Sequence, residues 1–180
     1  MPRMFSSVKN TAHTLKSGRF FTEFGICVPD GNPTSMNTIE CNAVMNAADG
    51  YFQSWTYWNS VFFNEEDDTP ILKQVKPFVR MYPISTAGVP ISLVFDTNNG
   101  SGFYAFQTNE LTVDLAKQGE PIASIYVPVE LYYQHGYQFE ITPPEFSYKI
   151  SPDNDYLFNL YAPPNGIIDG IIIEVNIFAK

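Results

Sequence analysis

With 180 residues, 44% of them hydrophobic and 16% aromatic, the chain has the composition of a packed core rather than of disorder. Its net charge of −9 and pI near 4.5 argue against nucleic acid or an anionic membrane surface as a partner, and leave neutral sugars and glycolipids unopposed. No apolar run approaches the roughly 20 residues of a membrane span; Ile171-Ile172-Ile173 stops at Glu174 and reads as a core strand.

Phe5, Val8, Ala12 and Leu15 recur at helical spacing, so residues 3–17 are expected to form a helix with one apolar face and Gly18 as its C-terminal cap. His13 on this segment has no Cys or Asp cluster beside it and reads as a surface residue. Met1-Pro2-Arg3-Met4 is followed by no apolar signal segment. Arg19-Phe20-Phe21-Thr22-Glu23-Phe24-Gly25 reads as a short buried strand released into a loop by its glycine, with one carboxylate, Glu23, between two phenylalanines at its C-terminal end. A charge in that setting has a partner or a purpose: an ordinary strand-end Glu paired with a Lys or Arg, or a functional acid.

Pro29-Asp30-Gly31-Asn32-Pro33 is strong turn chemistry. A helix of about a dozen residues follows from Asn37, with Asn37 and Glu40 spaced as a capping box and Ile39, Ala43, Val44 and Ala47 on one face. The next apolar stretch, Tyr51 to Trp58, is a second strand. Strand, helix, strand over about forty residues is a βαβ unit, so the strands near 20 and 52 are expected to be parallel neighbours with their C-terminal ends together. Cys27 and Cys41 are too few for a disulfide scaffold; they are either bridged in an oxidising compartment or two buried small side chains. Residues 64–70, with four carboxylates in a row, lack the alternating ligand spacing of a calcium loop and read as a solvated loop.

From about residue 77 helical periodicity disappears. Strands are expected at 91–95, 103–107, 122–127, 137–141, 146–150, 156–161 and 171–178, separated by turn signals such as Asn98-Asn99-Gly100, Lys117-Gln118-Gly119 and Pro163-Pro164-Asn165-Gly166. Several short strands at that spacing over about a hundred residues indicate an antiparallel β-sandwich. Asn99-Gly100-Ser101 is the only glycosylation sequon and falls at a predicted hairpin tip.

Three stretches in order carry a family resemblance. Thr22-Glu23-Phe24-Gly25 resembles the seventh-strand motif of clan A glycoside hydrolases, Tyr51-Phe52-Gln53-Ser54-Trp55-Thr56-Tyr57-Trp58 resembles their eighth strand, and Val79-Arg80-Met81-Tyr82-Pro83 through Ala87-Gly88-Val89-Pro90-Ile91-Ser92 resembles the junction of endoglycosylceramidases in glycoside hydrolase family 5. The resemblance implies α/β plus all-β architecture: residues 1–67 as the C-terminal part of a (β/α)8 barrel, incomplete because a whole barrel needs about 250 residues, then a linker over 68–76 and a C-terminal β-sandwich over 77–180. It implies retaining hydrolysis of the β-glycosidic bond between an oligosaccharide and ceramide, or of a simpler glucosylceramide or steryl glucoside, with no metal or organic cofactor. Glu23 would be the nucleophile. Trp58, nearer the strand end, would lie under the sugar, Trp55 would pack in the barrel, and Asn59 and Gln53 are weaker candidates for hydroxyl contacts. Phe62 and Phe63 would form an apolar lip near the lipid or pack against the sandwich.

Such hydrolysis needs a second carboxyl about 5 to 5.5 Å from the first. In the family it follows an Asn at the end of the fourth strand, expected upstream of Met1; Asn64-Glu65 lies in a loop on the wrong side of the nucleophile strand and is rejected. The 180 residues are therefore expected not to turn over glycosides alone. Family members are usually secreted or lumenal, so either the start is truncated or the protein stays inside the cell. The alternative reading is a non-catalytic sandwich that binds glycan or lipid, with Tyr132, Tyr133 and Tyr137 as candidate contacts and the barrel segment vestigial.

Overall fold

The computed structural model describes residues 2–25, 27–58 and 62–180. The chain divides into two compact units, Met1–Val79 and Arg80–Lys180.

In the first unit, helix α1 (Pro2–Leu15) buries Phe5 and Ala12 but leaves Val8 and Leu15 exposed. It is closed by Lys16 in the left-handed region (φ 51), not by Gly18, and Ser17 N–H returns to the Ala12 carbonyl at 3.0 Å. Strand β1 (Phe20–Phe24) leads into helix α2 (Met36–Gly50), and strand β2 (Ser54–Tyr57) follows. The expected capping box at Asn37 and Glu40 gives way to a better cap upstream: Ser35 Oγ accepts from Thr38 N at 3.2 Å and donates to Asp30 Oδ1 at 2.8 Å. The buried face of α2 is Cys41, Val44, Met45 and Ala48, and Ile39 and Ala43 are exposed. Cys27 and Cys41, both fully buried, form a disulfide. Residues 68–76, read from the sequence as a linker, contain a short helix, α3 (Leu72–Val75), which runs into a 3-10 turn (Lys76–Phe78). Phe78 joins the aromatic cluster of this unit, its ring 4.5 Å from Tyr57 and 5.5 Å from Phe62.

The second unit contains two four-stranded antiparallel sheets. One has the order β4-β5-β10-β7, from Val89–Asp96, Ser101–Gln107, Ile172–Ala179 and Tyr137–Thr142; the other has the order β3-β6-β9-β8, from Tyr82–Thr86, Ala123–Tyr126, Asn154–Tyr161 and Ser147–Ser151. Register puts Leu93, Tyr104, Val175 and Ile141 in one row across the first sheet, and Ile125 and Phe158 opposite each other in the second. Apart from Tyr104, which is followed by the buried Ala105 and Phe106, these residues alternate with more exposed ones along their strands, as a two-layer core requires. Phe139 bridges the layers, 4.4 Å from Tyr148 and 5.1 Å from Phe158. Gly102 has no side chain because Ile177 and the Met81 thioether occupy the space a Cβ would need.

Three elements here differ from the sequence expectation. Residues 110–118 form a helix, α4 (Glu110–Gln118), started by an Asn109–Thr112 capping box and ended by Gly119 at φ 74, so helical structure does not vanish after residue 77. Tyr82–Thr86 is an additional edge strand. A short helix, α5 (Val129–Tyr132), precedes β7.

Candidate active site

The site is built from β1 and β2, which pair in parallel with Phe20 opposite Ser54, Phe21 opposite Trp55 and Phe24 opposite Tyr57. Three residues on β1 advance against two on β2, so Thr22 and Glu23 together face Thr56. The Thr56 hydroxyl donates to the Thr22 carbonyl within this bulge. The extra residue turns Phe21 and Phe24 to the same side, where their rings stack at 5.8 Å. Phe24 is buried, with Trp55 at 5.7 Å and Tyr57 at 5.2 Å, both edge-on.

Glu23 is exposed, and so is Phe20 at 57%. The buried strand expected at 19–25 is thus buried only at Phe24 and half-buried at Phe21. A carboxylate on the solvent side of the bulge carries no burial penalty, whereas placing it beside Phe21 in the core would desolvate it.

Beyond the paired residues the two strand ends stay together. Trp58 N–H donates to the Phe24 carbonyl at 2.8 Å. A methyl group at Gly25 would fall inside the van der Waals envelope of the Trp58 carbonyl oxygen, so only glycine admits this approach. Glu23 and Trp58 therefore stand at the same, C-terminal ends of adjacent parallel strands. Trp58 is 62% exposed, while Trp55 is half-buried between Phe24 and Phe78, the latter ring 6.0 Å away. Gln53 is buried and donates through Nε2 to the Ser54 carbonyl at 3.0 Å, so it is a backbone brace here. Asn59 lies outside the described residues. Phe62 packs on Tyr57 and Phe78, and Phe63 is exposed.

The loop after β1 is held on both sides. The disulfide ties Cys27 to α2, and the Tyr57 hydroxyl donates to the Cys27 carbonyl. Burial pushes the Tyr57 phenol above its ordinary value, so it stays a donor at neutral pH. Further along the loop, the amide of Asn32 and the hydroxyls of Ser35 and Thr38 donate to Asp30 and hold its carboxyl below the ordinary range. This clamp was not foreseen; the Asp30 to Ser35 spacing in a turn-rich loop is its only trace in the sequence. Among the described residues no group of three or more His, Cys, Asp or Glu is placed to hold a metal ion.

In the second unit Tyr133 is buried and donates to the Gly100 carbonyl at 2.5 Å. Tyr132 stands edge-on to Phe95 at 5.1 Å, and Tyr137 edge-on to Phe158 at 5.5 Å. Burial pushes the phenols of Tyr132 and Tyr133 up strongly and that of Tyr137 to a lesser degree. The three tyrosines offered from the sequence as candidate glycan contacts thus all have packing partners in the fold, Tyr133 buried and Tyr132 and Tyr137 half-buried.

Residues 80–175, more than half of the chain, match the glycoside hydrolase family 5 C-terminal domain. Endoglycoceramidase I of Rhodococcus hoagii (strain 103S) is 34% identical over 121 residues, which is 67% of this chain and 20% of that protein. Endo-glycoceramidase II from Rhodococcus sp., solved as a lactosyl-enzyme intermediate, superposes with a TM-score of 0.61 at 19% identity, over 95% of this chain and 36% of that one. Sterylglucosidase 1 of Cryptococcus neoformans, solved with tris, gives 0.70 at 16% identity, over 98% and 33%. At such identities the two structures establish likeness of fold alone. The chain spans about a third of their length and a fifth of the curated relative's. On the match over residues 80–175, the chain belongs to glycoside hydrolase family 5.

Proposed function

We propose that residues 1–67 supply the seventh and eighth strands of a (β/α)8 glycosidase barrel, residues 68–76 link them to a C-terminal sandwich at 77–180, and Glu23 is the nucleophile of a retaining β-glycosidase acting on a glycolipid. The observation that carries this reading is the parallel pairing of β1 and β2 with Glu23 and Trp58 at their shared C-terminal ends, where catalytic side chains of parallel barrels stand. The names of the relatives, two endoglycoceramidases and a sterylglucosidase, support a glycolipid substrate.

In the proposed reaction a Glu23 oxygen attacks the anomeric carbon, the bond to the lipid oxygen breaks as a second carboxyl supplied from outside these residues gives that oxygen a proton, and water, yielding a proton back to the same carboxyl, then cleaves the glycosyl-enzyme and frees Glu23. The exposed Trp58 indole offers an apolar, electron-rich face to the C–H face of the sugar and to its developing positive charge. Trp55 supports Phe24 from within, and Asn59 is proposed as a hydroxyl contact.

A nucleophile alone expels an alkoxide poorly, since general acid help is worth roughly 10²- to 10⁴-fold. A two-stranded sheet is also marginal by itself. We therefore expect the purified 180-residue chain not to hydrolyse a fluorescent glycosphingolipid. A chimera in which this chain replaces the matching third of endo-glycoceramidase II is expected to be active and to lose activity on Glu23→Gln. Glu23-dependent turnover by the chain alone would overturn the claim of incompetence; an active chimera indifferent to Glu23→Gln would overturn the assignment of the nucleophile.

One observation favours the second reading, a sandwich that binds glycan without cleaving it. Tyr82, Tyr126 and Tyr156 form a row with ring centroids 5.1 and 6.1 Å apart and tilts of 32° and 33°. Tyr82 is 47% exposed, and Glu130 hydrogen-bonds the Tyr156 hydroxyl beside the row. Saturable lactose binding by the chain, lost on Tyr82→Ala, would support this reading; no binding at millimolar lactose would remove it.

A further inference from the structure

We propose that Asn99 carries an N-linked glycan. Asn99-Gly100-Ser101 is the only usable acceptor triplet in the sequence, since Asn32-Pro33-Thr34 has the excluded proline at its centre. The triplet lies at the turn between β4 and β5. Asp96 organises that turn: its carbonyl accepts from Gly100 N at 2.8 Å, and its carboxylate accepts from the backbone and side-chain nitrogens of Asn98, each at 2.9 Å.

Gly100 is turned inward. It is buried at φ 72 against Tyr132, and its carbonyl accepts from Tyr133. Asn99 is therefore presented to solvent. Its Oδ1 accepts from Ser101 N at 2.8 Å and Ser101 Oγ at 2.7 Å, while its Nδ2 has no partner among the described residues. The atom that would take the sugar is free, and the Ser101 hydroxyl, the other half of the acceptor, is held beside it.

A second observation comes from elsewhere in the chain. Both cysteines are fully buried and joined in the core of the first unit. Disulfides of this kind form and persist in oxidising compartments, and N-glycans are added in the oxidising lumen of the secretory pathway. In the transfer, Asn99 Nδ2 bonds to the anomeric carbon of a lipid-pyrophosphate-linked oligosaccharide. The bond from that carbon to the phosphate oxygen breaks, the lipid pyrophosphate leaves, and the amide gives up one proton. The proposal stands apart from the catalytic reading and does not depend on it.

The test uses the protein immunopurified from its own cells and treated with peptide N-glycosidase in heavy-oxygen water. The expected result is a labelled aspartate at position 99 by peptide mass spectrometry, with a drop in apparent mass corresponding to one glycan. Asn99→Gln and Ser101→Ala should each abolish that drop, and Ser101→Thr should keep it. An unmodified asparagine at 99, or a mass drop that survives Asn99→Gln, would overturn the proposal.

Discussion

Replacing Gly25 by alanine tests the join between the two strands of the candidate site. The added methyl group meets the Trp58 backbone carbonyl, not the flexible end of a side chain. Relief requires the end of β1 to move away from β2, which strains the 2.8 Å bond from Trp58 N to the Phe24 carbonyl. Forcing one extra carbon into a packed position costs about 1–3 kcal/mol. With a urea dependence of about 1–2 kcal/mol per molar for a unit of this size, the unfolding midpoint should fall by about 0.5–3 M. Both tryptophans, Trp55 and Trp58, lie in the first unit, so indole fluorescence follows that unit without interference from the sandwich. Gly50→Ala is the control: nothing lies within 4 Å of its added carbon, and it sits at the end of α2. It should leave stability unchanged or raise it by up to about 1 kcal/mol. A Gly25→Ala midpoint within about 0.3 M of the parent would refute the close approach, and with it the placement of Trp58 beside the Glu23 strand.

Reduction of the Cys27–Cys41 bridge, or the double change to serine, should cost the first unit about 3 kcal/mol, the value for a closed loop of this length, and leave far-UV melting of the sandwich unchanged. Thr108 is buried, and its hydroxyl both donates to the Ile168 carbonyl and accepts from Ile171 N at 2.9 Å. Thr108→Val orphans both partners, so a loss of about 1–3 kcal/mol is expected, read as a lower thermal midpoint of the second unit. The Tyr104 phenol is raised to about 12, chiefly by burial and partly offset by the 2.7 Å bond with Thr86. Because the folded value exceeds the unfolded one of 10.0, its contribution is complete below pH 10 and is lost as pH rises towards 12. Across that window Tyr104→Phe should show an alkaline loss of stability smaller than the parent's by roughly 3 kcal/mol in urea titrations.

Legibility in the sequence followed the strength of local signals. The sandwich strands were readable because apolar residues alternate and Gly, Asn and Pro punctuate them; β4 to β10 each overlap an expected strand. Helix α4 is hard to read because it is only nine residues long and its one buried residue is the polar Thr112, while Leu111 is 56% exposed. Its signal was the capping residue Asn109 together with Gly119, whose Lys117-Gln118-Gly119 context reads equally well as a turn. Strand β3 was hidden by Pro83, which suits only the sheet edge it occupies. The tyrosines are ambiguous for a different reason: Tyr132, Tyr133 and Tyr137 fit core, edge or surface equally in one dimension, and only three dimensions supply Phe95, Gly100 and Phe158 as their partners.

The bulge in β1 shows why the pattern around Glu23 could be recognised but not oriented. In a regular strand Phe21 and Glu23 share one face, and Phe20, Thr22 and Phe24 share the other. Burying Phe21 would then bury the carboxylate, at a penalty of several kcal/mol without a partner. Burying Phe24 alone would forfeit the stacking of Phe21 that completes the cluster with Phe5, whose ring lies 5.8 Å away. One additional residue resolves the conflict. With Thr22 and Glu23 set against Thr56, both phenylalanines turn inward and the acid stays in solvent. Gly25 then lets the chain run close to Trp58 before the disulfide at Cys27 fixes its course. Each of the five residues from Phe21 to Gly25 thus has a physical task, and together they leave one exposed carboxylate at the end of a parallel strand with an exposed indole at the end of the next.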